Sequence, residues 1–396
     1  MVPKLQFIVL LFVLCEGLDV TKLKLKQVLI FGRHNVRYPL GEFLPRFTAK
    51  SWPVWRGQRG DLTPKGAHLE GYIGEYFRQW FNQEQFLPEG CPGEDTVYAF
   101  TNSINRTKAT ARAFLDSMFK GCNVPVYHRN ISGSDPMFTP IIRNTTEEFR
   151  EKVLEEVNRK LQERIHKLIP AFREMNKILE IESSDICKKD GICDLSTANN
   201  TISYIVGKEM WVEGPLFITN SVLDSFTMSY YDGLPLQNIA WGQVTTPEKW
   251  QLLTEITRQD HYIRYTTVAK DIGGPLMKYL SDTFKNFDKI AKLVLMIGHD
   301  YNMNSIANNL GFEEVLLPNQ FEKYPIGGSF VFQRWTDGTK DYLKVEHVYP
   351  SWSQLRLGTK LSLEYPPEIF LIRLNWCNTD ENGFCPWTDF INKLDS

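Results

Sequence analysis

The sequence predicts an α/β fold, a central and mostly parallel sheet flanked by helices, with a helical cap domain inserted into it. Three segments carry that expectation. Each is a short apolar run ending abruptly in polar residues: QVLIF before GRHNVRYP, TVYAF (Thr96 to Phe100) before TNSINRTKATARAFLDSMF, and KLVLMI (Lys292 to Ile297) before GHDYNMNSIANNLG. Runs of this length are what strands look like when helices cover both faces of a parallel sheet. Each holds a β-branched residue, which favours strand over buried helix. Ligands of such sheets bind beyond the carboxyl ends of the strands, where all three polar clusters fall. If the strands are neighbours, the clusters converge.

Taken in order, residues 1–17 read as a secretory signal peptide, with Lys4, an apolar run from Leu5 to Leu14, and small Gly17 near the expected cleavage site. That run is too short to span a bilayer, and no later segment is longer. Residues 18–131 hold the first two strands and a helix beginning near Asn105. Residues 132–261 form the expected cap. Its clearest element, Thr146 to Ile181, opens like a capping box and places apolar residues at Phe149, Val153, Leu154, Val157, Leu161, Ile165 and Leu168, with a break expected at Pro170. Residues 262–396 return to the α/β body with the third strand and a short helix from about Asn302 that stops at Gly311.

Composition excludes several classes of function. The 396 residues are 42% hydrophobic and 23% charged, and their formal net charge of -2 offers no basic field for nucleic acid. No membrane partner is expected either. Apart from Cys15, six cysteines remain, Cys91, Cys122, Cys187, Cys193, Cys377 and Cys385. An even number in an exported chain suggests disulfides; six cysteines permit 15 pairings, of which the nearest-neighbour set is the expected one. Sequons lie at Asn105, Asn130, Asn144 and Asn199, and a glycan at Asn105 would crowd Arg106, so that site is expected to be unused.

The clusters suit one chemistry. An Arg fork matches phosphate oxygens in shape and charge, and Arg33 and Arg37 flank His34 on one loop. Arg106 adds a third fork from the first turn of a helix, where the dipole also favours an anion. His299 is expected as a fourth cation. Guanidinium groups around His34 disfavour imidazolium, leaving a lone pair free to attack phosphorus. Asp300 is then the group that protonates a leaving alkoxide and later deprotonates water. Beside a phosphate its pKa is expected to rise, giving an acidic optimum. Arg and His supply the charge, so no cofactor or metal is expected, and the partner is a small phosphate monoester.

RHNVRYP, INRTKATA and GHD resemble the signature elements of the histidine acid phosphatases, a branch of the phosphoglycerate-mutase-like superfamily, and within it the bacterial periplasmic glucose-1-phosphatases. The resemblance extends to LTPKGAHLEGYIGEYFRQW, VLDSFTMSYYDGLPLQNIAWG, YPIGGSFVFQRW and GFCPWTDF, which span nearly the whole mature chain. It implies that His34 is the phosphorylated nucleophile, that Arg33, Arg37, Arg106 and His299 hold the phosphate, and that Asp300 donates the proton. It also implies an acidic residue facing the substrate at Glu209, with Glu213 close by, and three local disulfides. The commoner family pattern has Gly where this chain has Asn35, and Asn is among the few residues that tolerate the backbone angles Gly allows.

Blander readings exist for every part. A lone R-H-x-x-R match is a polar strand end about as often as a site, Asp300 alone suits a helix cap, and Arg106 alone suits a solvated helix face. His68, His128, His166, His261 and His347 have no converging partner in sequence and are read as structural or surface residues, and Trp52 and Trp55 as core or rim packing. The rival functions are a broad acid phosphatase or phytase acting on inositol phosphates, a phosphomutase, and a silent secreted protein that binds phosphorylated ligands.

Overall fold

In the computed structural model the described residues are 18–131 and 133–395, so the expected leader at 1–17 lies outside them. The first elements are β1 (Lys24–Arg33), α1 (Pro64–Gln83), β2 (Val97–Thr101), α2 (Asn105–Met118) and β3 (Val126–His128). Next come α3 (Glu147–Leu179), α4 (Asp185–Asp190), an antiparallel pair of β4 (Thr201–Ser203) and β5 (Trp211–Glu213), α5 (Pro215–Asp232) and α6 (Pro247–Tyr265). They are followed by α7 (Ala269–Lys285), β6 (Leu293–Gly298), α8 (Asp300–Leu310), β7 (Ser329–Thr336), β8 (Asp341–Tyr349), α9 (Trp352–Leu357), β9 (Glu368–Leu371), β10 (Cys385–Pro386) and α10 (Trp387–Leu394).

Eight strands form one mixed sheet in the order β10-β8-β7-β1-β6-β2-β3, with β9 also paired to β8. Its core, β1-β6-β2-β3, is parallel and contains all three strands expected from the sequence. The other half, β7 to β10, is antiparallel. Register brings Arg33 opposite Gly298 and Thr101 opposite Ile297, so β1, β6 and β2 end side by side.

Alternate residues of β1 feed two cores. Val28 and Ile30 pack under α1 and α2, against Phe77, Phe81 and Phe114. Leu29 and Phe31 pack on the other face against Leu280, Phe284 and Met303. This is the period of a strand buried on both sides. Helix α1 starts where Thr63 accepts from the Gly66 N–H at 2.9 Å and Pro64 needs no donor. Gly74 lets α2 come close, because a Cβ there would lie 2.3 Å from the Phe114 carbonyl oxygen.

A third apolar core joins α3, α5 and α6 through residues such as Leu161, Phe172, Leu223 and Leu253. Residues 132–261 give no strand to the large sheet, although α6 runs through position 261 to Tyr265. The break expected at Pro170 does not occur: α3 is continuous, capped by Thr146. Pro170 and His166 both face solvent, so the carbonyl that Pro170 cannot bond meets water, and Leu168, Ala171 and Phe172 hold the helix down. The disulfides are Cys91–Cys122, Cys187–Cys193 and Cys377–Cys385, the nearest-neighbour set. No helix among the described residues is long and apolar enough to cross a membrane.

Candidate active site

The carboxyl ends of β1, β6 and β2 open into a cavity of about 490 Å³ that is roofed by α5 and α6. Arg33, His34, Arg37, Arg106, Glu209, His299 and Asp300 all line it, so every site residue expected from the sequence is brought to one place.

His34 sits at the centre, 3% exposed, anchored by its N–H to the Gly298 carbonyl at 3.1 Å. Its Nδ1 lies 2.9 Å from the Asn35 carbonyl oxygen. A carbonyl only accepts, so the ring proton sits on Nδ1 and Nε2 carries the lone pair. Burial, then the charges of Arg106 and Arg37, hold the ring pKa well below the usual 6.5.

His299 stands beside it, ring centroids 5.4 Å apart. The Asn102 side-chain amide lies 2.9 Å from its Nε2 and Arg106 Nη2 lies 3.4 Å from its Nδ1. Burial and the Arg106 charge also push His299 well below 6.5. It therefore enters the unliganded site as a neutral imidazole and not as the expected fourth cation.

The arginines differ in what they hold. Arg33 donates to Glu322 Oε1 at 2.8 Å and to the Tyr324 carbonyl at 2.5 Å, and pairs with Asp300 at 3.0 Å. Arg37 makes a two-pronged pair with Asp224, at 2.7 and 3.1 Å. Arg106 has no carboxylate partner among the described residues, and burial beside Arg37 lowers it to about 10, still protonated in any acidic or neutral medium.

Asp300 opens α8, where its Oδ1 accepts from the Tyr301 N–H at 2.9 Å. Burial alone would raise its pKa, but the Arg33 guanidinium 3.0 Å away outweighs burial and holds the carboxyl well below the usual carboxylate range. The expected upward shift is therefore not a property of the unliganded site. A bound phosphate has to supply it, by taking over Arg33 and adding its own negative charge.

Glu209 faces the cavity from the segment before β5, and both its hydrogen bonds, from Arg264 and from the Tyr265 hydroxyl at 2.5 Å, fall on Oε1. Burial raises its pKa against those two partners. Arg264 in turn lies 3.9 Å from the Trp211 ring centroid and pairs with Asp260. Glu213 is exposed and outside this cavity.

Asp224, Glu322, Asn102 and His261 were not expected here. His261, read from sequence as structural, lines the cavity 3.7 Å from Asp300. Asp224 had a usable signal, since it is a charge between buried Leu223 and Ser225 on a mostly buried helix whose one other charged residue is its last, Asp232. Asn102 follows β2 directly. Glu322 lies in an irregular segment with no signal. Asn105 is exposed and lines a separate hollow with Lys108, Arg112 and His128, so it points away from the cavity that Arg106 enters; crowding at Arg106 gives no reason for that sequon to stay unused. Trp52 and Trp55 pack with Phe226 and Trp241 outside the cavity lining.

A lone-pair nitrogen among buried guanidinium groups, at the carboxyl ends of parallel strands, defines an enzyme acting on phosphate esters. The sequence model of the histidine phosphatase superfamily (branch 2) matches residues 24–349, and the chain belongs to that family. It is 40% identical over 377 residues to the glucose-1-phosphatase of Providencia rettgeri, covering 92% of this chain and 90% of the relative. Identity to the glucose-1-phosphatase of Salmonella typhimurium is 38% over 384 residues, 94% and 92% of the two chains. Among solved structures, the apo form of Hafnia alvei phytase aligns with a TM-score of 0.85 at 26% identity, over 94% of this chain and 97% of that one. The protein is a phosphoric monoester hydrolase.

Proposed function

We propose that the protein is an exported acid phosphatase that hydrolyses small phosphate monoesters, sugar phosphates such as glucose 1-phosphate foremost, through a phosphohistidine at His34. The observation that carries the mechanism is the orientation of His34, with Nδ1 tied to a carbonyl and Nε2 free among the arginines. Arg33, Arg37, Arg106 and His299 hold the phosphate. Nε2 attacks phosphorus, the bond to the leaving oxygen breaks, and Asp300 gives that oxygen its proton. Water then attacks the phosphohistidine while Asp300 takes a proton back, releasing neutral His34 and inorganic phosphate. Glu209 accepts a hydroxyl of the leaving group. Residues 132–261 act as the cap that carries Asp224, Glu209 and His261 over the site. Three disulfides fit an oxidising compartment and support export.

Charge supports a substrate with one phosphate. The cavity lining carries six Arg and Lys side chains and six carboxylates. Five of those cations already pair with a carboxylate, leaving Arg106 unpaired among the described residues. Further phosphates on one ligand would meet balanced or negative groups, at a cost of desolvation and repulsion. The similarity to Hafnia alvei phytase keeps inositol phosphates as the second reading.

Steady-state comparison of glucose 1-phosphate with inositol hexakisphosphate at about pH 5, with the trapped phosphoenzyme digested under alkaline conditions because phosphohistidine is acid-labile, tests both parts. The proposal expects a higher kcat/KM for the sugar phosphate, a label on His34, and no turnover by H34A. A preference for the inositol phosphate overturns the substrate reading; a labelled residue other than His34 overturns the mechanism.

A further inference from the structure

Asn35 is completely buried and uses every polar atom it has. Its N–H donates to Thr110 Oγ1 at 3.2 Å, and its Oδ1 accepts from the Val36 N–H at 2.8 Å. Its side-chain Nδ2 donates to Glu70 Oε2 at 2.8 Å. Its carbonyl is the one that fixes the His34 ring. The left-handed backbone that the sequence suggested for this position is absent, since Asn35 is not among the residues with positive φ. Gly327 is one, at φ +67, and a Cβ on it would lie 2.5 Å from Asn35 Nδ2. The amide is thus packed closely against Gly327 as well as bonded to Glu70.

Glu70 is the unusual partner. It lies inside α1, 3% exposed, next to buried Leu69 and one turn before buried Ile73. Among the described residues nothing but Asn35 hydrogen-bonds its carboxyl, and no cation pairs with it. Burial pushes its pKa up to about 8 against that bond, so in mildly acidic solution it is a neutral acid whose oxygen accepts from the amide. A hydrophobic residue would fill this position at less cost than a carboxyl with one partner. A carboxyl here needs a role, and the only group it touches by hydrogen bonding is the residue that orients His34.

We infer that Glu70 is a positioning residue: it clamps the Asn35 side chain so that the Asn35 carbonyl holds His34 with Nε2 turned toward the phosphate. The inference rests on the reading of His34 as nucleophile. The clamp acts on the phosphorylation step and not on phosphate binding, because Glu70 and the Asn35 side chain do not line the cavity. Gln at position 70 keeps a neutral oxygen acceptor for the amide; Leu keeps the volume and removes the acceptor.

Rapid-quench kinetics with p-nitrophenyl phosphate on E70L, E70Q, N35G and N35G/E70L, alongside inorganic phosphate affinity, test it. E70L should form phosphoenzyme about tenfold more slowly or worse, with phosphate affinity within about twofold, because a buried amide loses its acceptor. E70Q should recover the rate to within about threefold, and E70L should add nothing to N35G, since the pair acts as one unit. An unchanged rate in E70L, or losses that multiply in the double variant, overturns the clamp. Should E70L not fold, N35G decides: slower phosphorylation at constant affinity supports the clamp, and the wild-type rate overturns it. Label at His34 with unaffected rates removes the clamp alone, whereas label elsewhere in the wild type removes the nucleophile reading and the clamp with it.

Discussion

Arg37 is not idle in the unliganded protein, and D224N tests what that means. Two charge-assisted hydrogen bonds join Arg37 to Asp224, with Arg37 buried and Asp224 about one-quarter exposed. A phosphate that uses the Arg37 fork has to displace this carboxylate. Such bonds contribute roughly 1.5–3 kcal/mol each in buried settings, and exposure of Asp224 puts the pair at the low end. Asn keeps one acceptor, so D224N gives up about one bond, roughly 1.5 kcal/mol. It also removes a negative charge beside the incoming anion. Inorganic phosphate should then bind about tenfold tighter, since about 1.4 kcal/mol is a factor of ten. Without ligand the variant should melt lower, because Arg37 loses its counter-charge. Saturating phosphate should restore about 1.4 kcal/mol more to the variant than to the wild type. Titration calorimetry at fixed ionic strength measures the affinity, and thermal melts with and without phosphate measure the linkage. Unchanged or weaker phosphate binding in D224N would show that Arg37 keeps Asp224 and never exchanges it.

Three other perturbations probe separate parts of the molecule. D300N should slow phosphoenzyme formation from glucose 1-phosphate by about 10²–10⁴-fold, the usual contribution of a general acid, but much less from p-nitrophenyl phosphate, whose leaving group departs without a proton; equal losses of the phosphorylation rate on both substrates would remove Asp300 from that role. His347 is buried outside the active cavity, and burial lowers its pKa to about 3 from 6.5. Its stabilisation is complete above pH 6.5 and is lost as pH falls toward 3, because only the unfolded chain takes up the proton; H347Q should flatten urea-measured stability by about 1.4 kcal/mol per pH unit in that window, and an unaltered slope refutes the assignment. Cys91–Cys122 closes a loop of 31 residues, so C91S/C122S should lose about 3–4 kcal/mol of unfolding free energy on the chain-entropy account, read as a lower urea midpoint at unchanged activity per folded molecule.

The cationic half of the site was legible in the sequence for a physical reason. Arg33, Arg37 and Arg106 follow apolar runs that must be buried, and a guanidinium at the end of a buried strand is costly without an anion to meet. The fold was legible for the same reason: QVLIF, TVYAF and KLVLMI report burial on both faces, and burial on both faces requires covering helices. The antiparallel half of the sheet leaves no comparable mark, because β7 is buried to a similar depth as β1 and pattern alone does not give direction. Pro170 misled because helix-breaking is a local tendency, and packing on one face with solvent on the other overrode it.

Asp300 and Glu209 were legible, but which carboxylates hold Arg33 and Arg37 was not. Asp224 reaches Arg37 across 187 residues of sequence and Glu322 reaches Arg33 across 289. A solitary carboxylate on a helix or loop reads as ordinary surface until the topology places it. Yet they occupy two of the guanidinium groups that the proposed reading gives to phosphate, and on that reading they bear on how many phosphates a ligand can bring. On the proposed reading the cations make the chemistry possible, and their partners tune the substrate. Two proteins with the same RHNVRYP and GHD clusters therefore need not share a specificity. Neutralising Asp224 and Glu322 together should move the preference toward ligands with more than one phosphate. Measured as the ratio of kcat/KM for inositol hexakisphosphate over glucose 1-phosphate, D224N/E322Q should raise that ratio by about tenfold or more, since Arg37 becomes unpaired, about 1.4 kcal/mol for one charge, while Arg33 keeps Asp300. A ratio that stays constant while both rates change would mean that charge balance does not select the substrate.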